Sequence, residues 1–254
     1  MPRLPLSAPL LLGLVLGLPA LAQTPPVPDE QRRAIEGIVR EYLVKNPEVL
    51  QEAMTELERR QGEAQRAAQL KAVQESRDAL VNPARSIVAG NPAGDVTVVE
   101  FFDYNCGYCK RALADLQALV KADPKLRVVL KDFPVLGPGS VEASRVSLAA
   151  KQQLNDARMF DFHAKLMETR GAINGERAQA VAREMGLDMA RLGRDMNAPE
   201  VQAALAENAQ LGDKLGLTGT PAFVLGDEVI SGAVGQGPLR QAVAGIRKCG
   251  RTEC

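Results

Sequence analysis

Cys106-Gly107-Tyr108-Cys109 sets two thiols three positions apart, directly after the apolar run from Val96 to Phe102. That places them where a predicted strand gives way to a predicted helix. A helix starting at Cys106 would aim its unpaired backbone N–H groups at that sulfur and favour the thiolate. The thiolate is the form that attacks disulfides, so the pair is equipped for thiol–disulfide exchange. The same spacing also supplies half of a tetrahedral zinc site, and the motif alone leaves both chemistries open. The other two of the four cysteines, Cys249 and Cys254, close the chain in a short polar segment. Close spacing within each pair favours local pairing, so a small structural disulfide pinning the C-terminus is the preferred reading for Cys249 and Cys254. A second exchange pair or a copper or zinc site is the alternative, although no histidine lies nearby to complete a mixed site. The chain's single histidine, His163, falls within a helical stretch and reads as a surface or packing residue.

Composition narrows the classes. The 254 residues carry 31 Lys+Arg against 31 Asp+Glu, which gives no global pull toward nucleic acid or an anionic membrane. With no tryptophan and few aromatics, base-stacking platforms are not expected either. The N-terminus has the layout of a secretion signal: Arg3, an apolar stretch from Leu10 to Leu18, and Ala20-Leu21-Ala22 as a cleavage site before Gln23. Residues 1–22 are therefore expected to be a signal peptide cleaved after Ala22. Export would place the cysteines in a compartment where disulfides form.

Beyond a proline-rich spacer, Asp29 to Lys45 repeats apolar residues at helical spacing, and Asn46-Pro47 breaks it and starts a second helix toward Leu80. That second helix is thinly apolar, so it must dock on the main domain or pair with copies of itself. Turn residues from Asn82 to Gly94 mark a boundary. A strand at Val96 to Phe102, a helix from Cys106 to Lys121 and a strand from Leu126 to Phe133 make a βαβ unit, which implies a parallel pair. Helical patterns then run from about residue 140 to 215. Thr218-Gly219-Thr220-Pro221 leads into a hairpin, Ala222 to Leu225 and Glu228 to Ser231 around Gly226-Asp227, and a last helix follows from Pro238 to Lys248.

This order, βαβ, helical insertion, ββα, resembles the thioredoxin fold in its DsbA-family form. Three motifs carry the likeness: Val99-Glu100-Phe101-Phe102-Asp103-Tyr104-Asn105 leading into the cysteine pair, Lys131-Asp132-Phe133-Pro134, and Gly219-Thr220-Pro221-Ala222-Phe223. The resemblance implies an α/β fold in three parts. These are the signal peptide 1–22, an N-terminal helical extension over 23–85, and a DsbA-like thioredoxin domain over 86–254 with its helical insertion at about 140–215. It implies Cys106 as nucleophile and Cys109 as resolving thiol. It makes Thr220-Pro221 a cis-proline loop beside the sulfurs that, with Gly107 and Tyr108, meets the substrate. It makes Glu100 an acid beneath the cysteine pair that relays the proton of Cys109, with Lys131 bearing weakly on it from the neighbouring strand. The strongest oxidants of the family carry Pro-His between the cysteines. Gly107-Tyr108 offers no imidazole, so the Cys106 thiolate is expected to be held less firmly than in those oxidants.

The extension, with Tyr42-Leu43-Val44-Lys45-Asn46-Pro47-Glu48-Val49-Leu50, is similar to that of the ScsC branch. This implies a periplasmic disulfide isomerase or reductase acting on unfolded or misfolded secreted proteins. The alternatives are a DsbA-like dithiol oxidase and a copper-binding thiol protein. The branch further implies a homotrimer assembled through the N-terminal helices. It also implies a membrane redox partner, either a DsbD/ScsB-like reductase or a DsbB-like oxidase. Sulfur exchange needs no cofactor and no resident metal, and none is expected.

Overall fold

The computed structural model describes residues 28–82, 84 and 86–254; the expected signal peptide lies outside them. Contacts within the chain separate two compact units at Arg59–Arg60. In the first, helix α1 (Asp29–Lys45) opens with acidic Asp29 and Glu30 and closes with Lys45, the polarity that a helix dipole favours. Asn46 ends it, with both its backbone N–H and its side-chain amide donating to the Tyr42 carbonyl at 2.8 Å. The chain then enters α2 (Glu48–Glu75). No residue of α1 is buried: Ile35, Ile38, Val39 and Tyr42, and Leu50, Met54 and Leu57 in the first part of α2, are all about half exposed or more.

The second unit is built on a five-stranded sheet in the order β1-β3-β2-β4-β5. Its strands are β1 (Ile87–Gly90), β2 (Val96–Phe102), β3 (Leu126–Asp132), β4 (Ala222–Leu225) and β5 (Glu228–Ser231). β2 and β3 are buried on both faces, as central strands covered on each side are. They pair in parallel, joined by α4 (Gly107–Ala122), while β1, β4 and β5 are antiparallel to their neighbours.

The insertion comprises α5 (Pro138–Ala150), α6 (Asp156–Glu168), α7 (Gly175–Glu184), α8 (Met189–Asp195) and α9 (Pro199–Lys214). Asn155, Asn174 and Asp188 start three of these helices by accepting the backbone N–H of Arg158, Arg177 and Arg191, and prolines open α5 and α9. On one face of the sheet, Val98, Phe102, Val128 and Leu130 pack with Leu113 and Leu116 of α4, Val146 of α5 and Phe162 of α6. The final helix α10 (Gln236–Cys249) adds Leu239 and Val243 to that core. On the other face, Val99, Phe101 and Val129 meet Ala72 and Val73 of α2, and Leu211 of α9.

Three local differences from the sequence expectation have plain causes. A short strand, β1, lies inside the turn-rich boundary segment: its four residues are too few to display a period, and only the edge of β3 gives them a ladder. Gly90, at φ +72°, lies so close to Leu126 that a Cβ would collide with its carbonyl oxygen. The second helix does not run unbroken to Leu80 but stops at Glu75, and a separate turn, α3 (Arg77–Val81), follows Ser76. Finally, the domain gathers in the chain from Arg60 rather than from residue 86, because Ala72, Val73 and Leu80 are buried against the sheet.

Candidate active site

The parallel β2–α4 step delivers the sulfurs. Cys106 occupies the N-cap of α4, and its Sγ accepts the backbone N–H of Cys109 at 3.4 Å, a position the helix end would also offer to an anion. The Cys106 thiol lies 3.1 Å from the Thr220 carbonyl oxygen, to which it donates. Thr220-Pro221 is a cis peptide, and it brings the start of β4 against the start of α4, so residues far apart in sequence meet at one sulfur. Both cysteines are free thiols; Cys106 is 6% exposed and Cys109 1%. Burial, reinforced by the charge of Glu100, raises the Cys109 thiol far above its ordinary value.

Glu100 lies on the α4 face of β2, in register with Leu130 and Phe223, and is 2% exposed. Burial pushes its carboxyl up to about 8, and its electrostatic interaction with the nearby Cys106 adds to the shift. Its Oε1 has no hydrogen-bond partner among the described residues. A carboxyl poised near neutrality, electrostatically coupled to both sulfurs, can hold or take a thiol proton at working pH.

Lys131 does not share this face. It is in register with Phe101, its Nζ donates to the Ala79 carbonyl at 2.7 Å, and it approaches Glu207 to 3.8 Å, so the expected influence of Lys131 on Glu100 is withdrawn. Strand alternation decides this: neighbouring positions along β3 point to opposite sides.

Tyr108 projects from the first turn, 60% exposed, with the Arg111 guanidinium 4.2 Å above its ring centroid. A Cβ on Gly107 would meet nothing within 4 Å. His163 is buried, tilted against Tyr104 and edge-on to Phe102, and burial lowers it to about 3, so it stays neutral packing.

Sequence reasoning missed the turn that aims Cys106. The Asp103 carbonyl accepts the Cys106 N–H at 3.0 Å, while its carboxylate accepts from Asn105 N, Ser140 Oγ and Leu136 N at 2.7 to 2.9 Å. Asn105 pairs with Ile173 like a short strand: its amide donates to the Ile173 carbonyl at 2.9 Å and accepts the Ile173 N–H at 2.7 Å. The Tyr104 hydroxyl bonds Ser147 Oγ at 2.8 Å. Three residues in a row thus tie the nucleophile turn to the insertion. The available signal was Asp and Asn just before a helix, types that favour local side-chain bonds to the backbone. Asp132, at the end of β3, is fully buried and pushed up to about 8 by that burial.

Cys249 and Cys254 are joined in a disulfide after α10. The enclosed loop folds back on the helix: Thr252 bonds the Glu228 carboxylate, and a Cβ on Gly245 would collide with the Thr252 carbonyl. Among the described residues there is no group of three or more His, Cys, Asp or Glu that could hold a metal.

A βαβ–ββα sheet, a thiol pair at the first helix N-terminus and a cis-proline across from it define a thioredoxin-type thiol–disulfide oxidoreductase domain. Residues 97–244 match the DSBA-like thioredoxin domain, and residues 31–64 match the copper resistance protein ScsC N-terminal domain. The chain belongs to the DsbA-like thioredoxin-domain family.

Among solved structures, a thioredoxin-like oxidoreductase from Silicibacter pomeroyi is 50% identical, with a TM-score of 0.65 over 68% of this chain and 98% of that one. The thiol-disulfide exchange protein alpha-DsbA2 from Wolbachia pipientis is 25% identical, with a TM-score of 0.66 over 72% and 98%. A linker-deletion mutant of Proteus mirabilis ScsC is 28% identical, with a TM-score of 0.64 over 86% and 95%. Curated relatives include a Na(+)/H(+) antiporter NhaA from Herminiimonas arsenicoxydans, 27% identical over 68% of this chain, and one from Mycobacterium sp. strain KMS, 26% identical over 56%. The chain spans about a quarter of the length of these relatives. No helix among the described residues is long and apolar enough to cross a membrane.

Proposed function

We propose that this protein is a periplasmic thiol–disulfide oxidoreductase that reduces or isomerises disulfides in misfolded secreted proteins. The observation carrying this is Cys106 at the α4 N-terminus, bonded to the Thr220 carbonyl beside cis-Pro221. In the reading we favour, the Cys106 thiolate attacks a client disulfide, forming a mixed disulfide and releasing the second client thiolate. Glu100 takes the proton of Cys109, whose sulfur then attacks Cys106 Sγ and frees the reduced client. In isomerisation the released client thiolate attacks instead, and Cys109 serves as the escape route. Thr220, Pro221, Gly107 and Tyr108 border the client, and the Cys249–Cys254 bridge pins the end of α10.

Direction rests on the N-terminal helices. Their apolar row, Ile35, Ile38, Val39 and Tyr42 of α1 with Leu50, Met54 and Leu57 of α2, is exposed and calls for a partner. A homotrimer through this row would let several thiol pairs work on one client, which suits an isomerase, and a membrane reductase would keep the pairs reduced. Reactivation of scrambled ribonuclease by the mature chain tests the reading. Reactivation without added oxidant, lost in Cys106→Ala, supports an isomerase. Oxidation of reduced ribonuclease with no reshuffling would favour a dithiol oxidase, and tight stoichiometric copper without exchange activity a thiol-based copper carrier. Light scattering on chains with and without residues 23–59 tests the trimer; the cut belongs at Arg59, since α2 beyond it carries buried residues of the domain.

A further inference from the structure

Beside Cys106 runs an open groove of about 530 Å³ between the loop before α5 and the loop before α7. Asn105, Leu136, Pro138, Ile173 and Asn174 line it, so it begins at the residue preceding the nucleophile. Leu136 is 55% exposed and its neighbour Val135 48%, and together they form an apolar lip.

The far wall is the turn 169–172, and cations hold it. Lys110 Nζ donates to the carbonyls of Thr169 at 2.8 Å and Gly171 at 3.3 Å. The Arg177 guanidinium donates to the carbonyls of Arg170 and Ala172. The two cations are close enough that Arg177, after burial, depresses the Lys110 ammonium. Neither makes an ion pair among the described residues, and Glu142, the carboxylate bonded to this loop, is turned to the Gly175 N–H at 3.0 Å. Arg170, in the turn itself, is exposed, whereas Arg111 is held over the Tyr108 ring. Two cations drawn together without a counter-charge raise the local potential, and an incoming carboxylate relieves it.

We infer that this groove receives the stretch of client polypeptide flanking the attacked cysteine, and that it selects an apolar residue followed by carboxylates. The inference rests on the exchange reading above and specifies its substrate class. The apolar side chain lies against Leu136 and Ile173, and the acidic residues approach the 169–172 turn that Lys110 and Arg177 hold. The covalent step is unchanged: Cys106 thiolate attacks the client sulfur, the Cys106–client disulfide forms, and the other sulfur leaves as a thiolate.

The test uses short peptides with one cysteine, activated as a mixed disulfide with a coloured aryl thiol and carrying Glu, Gln or Lys on either flank. Release of the aryl thiolate by the reduced protein is followed in single turnover. The Glu peptides are expected to react about tenfold faster than the Lys peptides at low salt, converging as salt screens the groove. In Lys110→Gln/Arg177→Gln the Glu-to-Lys ratio is expected to fall to within about twofold. Normal exchange of the Gln peptide, with Glu and Lys peptides alike in the wild-type protein at low salt, overturns the inference while leaving the exchange reading intact. Failure of all three peptides sinks both.

Discussion

Replacing Glu100 by Gln keeps the size and most of the polarity of the side chain but removes its charge and its titration. In the folded protein the carboxyl sits near 8, against about 4.5 when unfolded. The folded state therefore binds the extra proton, and from about pH 4.5 upward the wild-type protein loses stability until Glu100 ionises near pH 8. At about 1.4 kcal/mol per unit, this shift corresponds to about 5 kcal/mol; relaxation around the charged form lowers the expected loss to about 2–5 kcal/mol. Asp132, raised in the same way, contributes a loss of the same sign, while His163, lowered to about 3, contributes a gain between about pH 3 and 6.5.

Both remain in the variant, so they cancel when Glu100→Gln is compared with wild type. Urea unfolding of the two reduced proteins at a series of pH values isolates the Glu100 contribution. The stability of Glu100→Gln relative to wild type should climb between about pH 4.5 and 8 and then level off. Resolution of a Cys106 mixed disulfide by Cys109 should slow about 10–100-fold in the same variant, since Cys109 loses its proton acceptor. A stability difference that is flat across this range would refute the burial argument. An unchanged resolution rate would refute the proton-relay role even if the stability result held.

Asn105→Ala leaves the buried Ile173 N–H without its acceptor and should cost about 2 kcal/mol in urea unfolding, with a slower client attack. Leu80→Ala, at 2% exposure on the back of the sheet, should cost about 2–4 kcal/mol, whereas Leu57→Ala, 55% exposed, should leave the unfolding of the domain unchanged. Gly107→Pro sits at the first helical position with room for a ring; it should stabilise the domain by about 0.4–1 kcal/mol. Combined with Tyr108→His, it should make the active-site disulfide more oxidising, measured by equilibration with glutathione.

Much of the architecture was legible because each element carried its own punctuation. The strand before Cys106 is a mostly apolar run, the hairpin turns at Gly226-Asp227, and three of the five insertion helices begin at Asn or Asp caps. β1 was not legible, since four residues acquire strand character only from the β3 edge. The break at Ser76 was hidden as well. Residues 77–81 have a helical pattern of their own, and it is the docking of Val73 and Leu80 on the sheet that anchors both sides of the break.

The site divides the same way. Local chemistry in the sequence narrowed Cys106 and Cys109 to sulfur exchange or half a zinc site and placed the first at a helix start, because spacing and helix geometry are properties of neighbouring residues. Only the tertiary structure decided which groups surround that pair. Strand alternation put Glu100 on the α4 face of β2 and turned Lys131 to the other side, and the cis-proline loop and the Asn105–Ile173 pairing came to Cys106 from distant parts of the chain. Electrostatics at the thiols depends on burial and on these long-range neighbours, and neither is a property of a segment by itself.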